Sequence, residues 1–550
     1  MKKFSLTSIA LCVLTALPLH VQADERESLE VLRATTLNLI QALVQQGVLT
    51  QDKADEIVRK ATASAAARPA PSEPAPAADA GAQNAKSVRV PYVPEFVRRE
   101  MRDQIKEEVL AQAKAERWAA PALLPDWLDR FTFSGELTVR FQDDVFRSCG
   151  ADTADTSTCN VPQPVYVNNT PGSTIANTTN NRQRLRLRAI EGAEVKVNDH
   201  VDAEIRLSTG ALADPVTNNQ TLGNNFSRPT IGLDRGYVHW HPQSWLDVQG
   251  GRFANPFFGT DLLWYDRLNL DGVAVKLQRK VRDAGALFLT GGAFPLQEIE
   301  PIYGTAIKSK WMYGAQLGGQ AESTDHSSAR VAVGYYNFTH TEGIANDGSG
   351  TNDLNGKSVP TYQQKGNTLF NINYNSPLSA TTGQPILSPA YGLASRFRVL
   401  DLTARFDLAS YDPVHAVLLV DVARNVGFDV NEILARTGGQ AFDPKYPSDP
   451  LHARTRAYGT RLTVGYPRLK AYGEWQAYAG YKYLERDAVL DAFTDPDFHL
   501  GGTDAKGWLA GAALGIDKNT WVSLKYLSTQ AIDGLPLSID TFQADFNVRF

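Results

Sequence analysis

The sequence predicts an all-β, membrane-spanning fold: a sixteen-stranded antiparallel up-and-down β-barrel with an α-helical segment ahead of it. Three observations predict it. From Phe131 to the C-terminus, apolar and polar residues alternate in runs of strand length, as they must where one face meets oil and the other water. The links between runs alternate strictly between long and short, a sorting that a soluble sandwich does not need and a membrane barrel does. The count of runs is even, which returns both ends of the wall to one side. One hairpin missed or invented would make the count 14 or 18.

The elements follow in order. Lys2 and Lys3 precede an apolar stretch from Phe4 to about Leu19, and Val21-Gln-Ala23 offers small residues for cleavage, so residues 1–23 read as a secretory signal peptide. Leu11 before Cys12 argues against a lipoprotein site. Residues 24–62 read as a helical hairpin: Leu29, Leu32, Thr36, Leu39 and Leu43 share a stripe, Gly47 closes the first helix and Thr50 caps the second. Residues 63–92 are an Ala/Pro-rich linker. Residues 93–129 hold a further helix with Val97, Met101, Ile105 and Val109 on one side, then a connector to the barrel at 130–550. These helices suit either a short trimerising coiled coil or a solvated periplasmic spacer.

The strands are expected at 131–141, 182–197, 200–209, 230–241, 245–254, 268–278, 284–294, 310–322, 329–340, 397–409, 414–425, 455–466, 470–486, 505–516, 520–529 and 540–550. In the first, Phe131, Phe133, Gly135, Leu137, Val139 and Phe141 share one face. Thr132, Ser134, Glu136, Thr138 and Arg140 share the other. Closure is obligatory in lipid, because every backbone N–H and C=O needs a partner there. Aromatic residues near strand ends (Trp240, Trp245, Trp311, Tyr313, Tyr335, Tyr466, Trp508, Trp521) are expected to form interfacial girdles. One strand fits poorly: Glu191 shares a face with Leu187, Ala189 and Ala193, which suggests a bulge near Gly192 or a position covered by protein.

Sixteen strands leave an aqueous lumen. Parity places Arg140, Arg184, Arg186, Arg188, Arg206, Arg405 and Arg461 on its wall, against Glu136, Asp202, Glu204, Asp401, Asp407 and Glu474. Arg184, Arg186 and Arg188 make a guanidinium ladder. It either sets a positive field for anions or pairs with acids on neighbouring strands and stiffens the wall. The longest external loop, 341–396, carries Gly366-Asn-Thr-Leu-Phe-Asn-Ile-Asn-Tyr374, apolar enough to fold inward and constrict the lumen. Cys149 and Cys159, in an oxidising compartment, are expected to form a short-loop disulfide.

Other chemistry is weakly signalled. The net charge of −5, from 55 basic and 60 acidic residues, argues against a nucleic-acid binder. No hydrolase elbow, zincin helix, phosphate loop or dinucleotide fingerprint occurs, so neither an enzyme nor a cofactor is expected. His239 and His241 face the same way and read as interfacial decoration rather than a metal pair. Ser358 stands where the loop Asp347–Gly356 would need a bidentate Glu for calcium. The acids Asp487, Asp491, Asp495, Asp497 and Asp504 are a somewhat better place for a divalent ion or lipopolysaccharide bridge, with a solvated loop as the plain alternative.

A family resemblance adds to this. The stretch from Tyr483-Leu-Glu-Arg to Gly507, together with Gly251-Arg-Phe-Ala-Asn-Pro-Phe257, Asp261-Leu-Leu-Trp-Tyr-Asp266, Gly272-Val-Ala274 and Gln46-Gly-Val-Leu-Thr50, resembles the "putative porin" family of Gram-negative outer membranes over most of the chain. The resemblance implies an outer-membrane diffusion channel and a homotrimer and supplies no substrate. The residues themselves point to passage of small hydrophilic solutes through a barrel set in outer-membrane lipid and lipopolysaccharide. Phe550 resembles the aromatic end read by the barrel assembly machinery. A substrate-specific channel, a loop-based binder or adhesin, and an outer-membrane hydrolase are the rival readings.

Overall fold

The computed structural model describes residues 128–147, 160, 177–281, 285–301, 307–348, 355–441, 451–534 and 536–550. The expected signal peptide, helical hairpin, linker and leader helix lie outside the described residues, as do Cys149 and Cys159.

Sixteen strands form the wall: β1 Phe131–Phe146, β2 Arg182–Asn198, β3 Val201–Thr209, β4 Ile231–Gln243, β5 Leu246–Ala254, β6 Asn269–Val281, β7 Gly285–Gln297 and β8 Lys310–Glu322 come first. They continue as β9 Ser328–Thr339, β10 Arg398–Tyr411, β11 Val414–Asn425, β12 Arg456–Gly465, β13 Trp475–Leu484, β14 Ala505–Asp517, β15 Thr520–Ala531 and β16 Ser538–Arg549. Each is antiparallel to its sequence neighbour, and β1 pairs with β16 (Arg140 opposite Asp545), so the sheet closes on itself. Phe550 completes the seam: its N–H donates to the Gly135 carbonyl (3.0 Å) and its carbonyl accepts from the Gly135 N–H (2.8 Å). Closure removes the unpaired edges that lipid would punish.

The two faces separate as the alternation requires. On β1 the outward Leu137, Val139 and Phe141 are 39%, 40% and 36% exposed, while inward Thr138, Arg140 and Gln142 are 0%, 6% and 1% exposed. Leu402 and Phe406 of β10 likewise point out, with Thr403 buried inside between them. On the short-turn side β2–β3, β4–β5, β10–β11 and β14–β15 are joined by two residues each, Asp199-His200, Ser244-Trp245, Asp412-Pro413 and Lys518-Asn519. The opposite rim carries the long loops, including a two-stranded piece (Leu369–Asn371 with Tyr391–Leu393). It also carries helix α1, Val430–Thr437, capped by the Asp429 carboxylate at the Glu432 N–H and stopped by Gly438 at φ 61°.

Three expectations need correction. The β1–β2 ladder runs unbroken through Gly135 opposite Glu191, so there is no bulge at Gly192, and Glu191 stays on the outer face of the single chain. β13 begins at Trp475, not 470, because residues 470–474 are spent on the turn. Trp521 is not part of an outer girdle. It pairs with Asn547 in register, and its ring lies under the Arg549 guanidinium (4.9 Å) on the lumen side.

Candidate functional site: a charged constriction inside the barrel

The segment that enters the lumen is 255–268, between β5 and β6. Its apolar residues have nowhere favourable to go but inward, since the rim is wet and the outer face belongs to lipid. Leu262, Leu263, Trp264, Tyr265 and Leu268 are buried in the main hydrophobic cluster of the described residues. Trp264 stands edge-on to Tyr336 of β9 (5.1 Å, 85°) and also packs on Phe338 and on Phe493 of the β13–β14 loop. Phe257 meets Tyr336 edge-on as well (5.0 Å). Burying each such ring contributes about 1.5–3 kcal/mol, and well-placed aromatic pairs roughly 0.5–1.5 more.

Polar ties hold the segment to the wall. Gln316 of β8 grips Phe258 from both sides, its oxygen accepting from the Phe258 N–H (2.8 Å) and its amide donating to the Phe258 carbonyl (2.6 Å). Thr260 Oγ1 donates to Asp421 of β11 (2.5 Å). The Arg330 guanidinium is sandwiched between the rings of Phe258 and Phe288, at 4.4 and 4.5 Å.

The β13–β14 loop packs against it from the other side, and here the acids expected to meet solvent turn inward. Asp487, Asp491, Asp495, Asp497 and Asp504 are all less than a tenth exposed. Asp487 accepts from the Thr368 N–H (2.9 Å) and hydroxyl (2.5 Å). Asp504 accepts from the N–H groups of Asp533 and Gly534 (3.0 and 2.7 Å). Asp495 is paired with Lys482 (3.1 Å), and Asp497 with Arg140 (3.0 Å) and Lys525 (3.4 Å). Internal partners thus occupy the carboxylates that a divalent ion would need. Burial pushes the Asp487 carboxyl up to about 6 against the pull of Thr368 and Arg486, and pushes Asp491 up to about 7. At Asp497 burial works the same way but is outweighed by Arg140 and Lys525, which hold the group well below the usual carboxylate range.

The segment 366–374, expected to constrict the lumen, is divided: Leu369 packs against the main cluster that holds Trp264, and the residues after it turn away. Phe370 and Ile372 join a cluster with Ala394, Ile433 of α1, Ala441 and Leu451 among the long loops. The residues around its start instead bolt the β13–β14 loop in place. Gln364 donates to the carbonyls of Asp491 and Thr494, and Asn367 to those of Arg486 and Val489.

Between these loops and the short-turn end lies a chamber of about 410 Å³. Six basic side chains line it, Arg140, Arg188, Arg267, Arg461, Lys525 and Arg549, and six acidic ones, Glu136, Asp261, Asp266, Asp495, Asp497 and Asp545. The bases sit mainly on the strands and four of the acids on the inward loops, so opposite charges face each other across the opening. Arg140 reaches Asp545 (2.8 Å) beside Asp497, and Arg188 and Arg267 share Glu136 (2.7 and 2.8 Å). Lys482 bridges Asp261 (2.9 Å) and Asp495, and Arg461 stands 4.0 Å from Asp261. Enclosure raises the Asp261 carboxyl's cost of ionising, but Lys482 and Arg461 outweigh it, so its affinity for a proton is lowered. A second cavity of about 370 Å³ opens toward the long-loop rim, with Leu268 and Phe493 in its lining where Trp264 and Tyr265 line the chamber.

The remaining residues picked from the sequence are placed as follows. Arg184 pairs with Asp144 (2.6 Å). Arg186 donates to Gln142 (3.2 Å) and to the Asn219 carbonyl (3.2 Å), and among the described residues no carboxylate lies within ion-pair distance of it. Arg206 pairs with Asp234, Glu204 with Arg235 (3.6 Å), and Asp407 with both Arg405 and His415 (2.8 Å each). Asp401 is buried and accepts from the Thr403 hydroxyl (3.0 Å). Asp202 faces His239 and His241. Glu474 departs from its expected place on the wall. It lies in the turn before β13 and accepts from the N–H groups of Lys470 (2.5 Å) and Ala471 (3.1 Å). Strand parity turns Lys482 and Asp545 inward as expected, and Lys525, which the sequence reading does not single out, follows the same parity. Asp261, Asp266 and Arg267 carry no such signal, because a loop has no period.

The profile of a family described as "Putative porin" matches residues 33–550. No curated protein matches the chain. Among solved structures, OprB of Pseudomonas putida is similar at 12% identity, covering 77% of this chain and 96% of its own, with a TM-score of 0.42. The outer membrane channel DcaP of Acinetobacter baumannii is similar at 9% identity, covering 76% and 97%, with a TM-score of 0.39. OmpF of Salmonella typhi, solved with daunomycin, is similar at 10% identity, covering 76% and 97%, with a TM-score of 0.38.

Proposed function

The chain belongs to the putative porin family, and on that premise we propose that it is a passive outer-membrane channel for small hydrophilic solutes with weak preference for either charge. One observation carries the reading: the constriction chamber is lined by as many acidic as basic side chains, and most of them are ion-paired, some between neighbouring strands and some between wall and inward loop. A balanced, paired lumen presents a strong transverse field but little net potential along the axis, so ions of both signs pass. No bond is made or broken. The test is planar-bilayer recording in a salt gradient. A conducting protein with a reversal potential near zero is expected, and absence of conductance overturns the proposal.

The finer parts of the reading belong with it. The short-turn side faces the periplasm, with both ends of the wall there, as the even strand count requires. Residues 1–23 are removed on export, the helices of 24–62 and 93–129 remain periplasmic, and Cys149 and Cys159 close a disulfide in an external loop. Phe550 serves as the assembly signal. A homotrimer accommodates Glu191, an acid on an outer face otherwise turned to lipid. A substrate-specific channel is the second reading. It is favoured by the interlocking of three loops at the constriction, and saturable, solute-selective current block would support it.

A further inference from the structure

We propose that Asp202, His239 and His241 form a binding site for a divalent transition-metal ion of the zinc class on the lumen wall near the short-turn end. Spacing alone supplies two imidazoles on β4. The third donor comes from β3, where Asp202 stands directly opposite His239 in the ladder. The parity is unambiguous. Ile205 and Leu207 of β3 and Val238 and Trp240 of β4 are strongly exposed on the outer face, so Asp202, His239 and His241 point inward. One donor atom from each lies within 4.8 Å of the others. A four-coordinate zinc with nitrogen and oxygen ligands at about 2.0–2.1 Å needs donors roughly 3.3 Å apart, which side-chain rotation of this size reaches without moving the strands.

The orientation of the rings is the second observation. His241 Nε2 lies 2.9 Å from Asp202 Oδ2, and His239 Nδ1 lies 3.8 Å from the same oxygen. The far nitrogen of His239, Nε2, is 3.1 Å from Asp247 of β5. With Nε2–H donating to Asp247, the Nδ1 lone pair of His239 is turned toward Asp202 and His241. A carboxylate behind a ligating imidazole is how metal sites fix the tautomer and raise ligand basicity. The groups line an open pocket of about 470 Å³, which leaves room for water to complete the coordination shell. Two imidazoles and one carboxylate suit zinc, copper(II) or nickel(II) and are a poor set for calcium or magnesium, which take oxygen donors.

The test uses tag-free full-length protein in detergent, stripped with chelator and titrated calorimetrically with ZnCl₂. One Zn²⁺ per chain is expected. His239→Ala and His241→Ala should each weaken binding at least tenfold, Asp247→Asn by roughly ten- to a hundredfold, and CaCl₂ should give no heat of binding. Heat-modifiable migration on gels verifies that each variant is folded. A measurement on the unaltered protein stands beside the variants: Zn²⁺ should protect His239 and His241, and not the exposed His326, from acylation by diethyl pyrocarbonate read by mass spectrometry. Absence of zinc binding, or equal modification of His239 and His241 with and without Zn²⁺, overturns the site. Neither readout depends on conductance, so the outcome is separate from that of the channel reading.

Discussion

Arg140 of β1 and Asp497 of the β13–β14 loop are 3.0 Å apart although 357 residues separate them in the chain. The pair pins an inward loop to the barrel wall at the constriction, with Asp545 and Lys525 completing a four-charge cluster. Removing one member of a buried pair leaves the other uncompensated, at a cost of about 3–5 kcal/mol. Arg140→Ala is expected at the lower end of that range, because Asp497 keeps Lys525. Urea unfolding in lipid should report the loss, and single-channel traces should show more frequent gating. A variant with unchanged stability and quiet traces would mean that the pair does not hold the loop.

The segment 255–268 supplies most of the apolar bulk inside the lumen, with Leu369 of 366–374 packed against it. Trp264→Ala removes the ring that packs on Tyr336, Phe338 and Phe493, and should raise single-channel conductance while destabilising the barrel by about 3–5 kcal/mol. Deleting residues 376–389, a mostly exposed tip of the longest loop, should leave conductance as it was. The opposite pattern would return the constriction to the longest loop.

Arg186 is the member of the guanidinium ladder that neutral groups alone contact, while Arg184 and Arg188 are paired with Asp144 and Glu136. Arg186→Glu is therefore expected to move the reversal potential toward cation preference, and Arg186→Lys to leave it in place. No shift with glutamate would put the ladder outside the ion path.

Asp487 gives the loop interlock a pH dependence. Its carboxyl is raised by burial from 3.8 to about 6, so the stabilisation from its protonated form is complete below pH 3.8 and is lost as pH rises through about 6. Hydrogen exchange around Thr368 and residues 485–494, corrected for intrinsic rate, should be faster at pH 7.5 than at pH 5, by up to roughly tenfold. Asp487→Asn should flatten the difference. Exchange that slows as pH rises would contradict the sign.

Much of the wall was legible in the sequence. Sixteen strands, their order and most of their ends follow from a period of two, because a strand between oil and water cannot alternate otherwise. Arg140, Arg188 and Arg461 are turned toward the lumen by the same parity. The exceptions have local causes: Glu474 answers to a tight turn, and Trp521 follows its register partner Asn547 rather than the girdle its residue type suggests.

The inward loops were not legible. Nothing in the spacing of Asn255-Pro-Phe-Phe-Gly-Thr-Asp-Leu-Leu-Trp264 says whether it folds in or out. Equally, the acids of 487–504 look solvated until Arg140, Lys482 and Lys525 are brought beside them. The alternation of residues by itself determined a closed wall with an oily outside and a charged inside, since solvent acts on each strand locally. Which loop fills that wall, which charges pair and whether two histidines acquire a third donor were decided only by the tertiary structure. Those contacts join strands and loops far apart in the chain, and no period in a sequence encodes distance across a lumen.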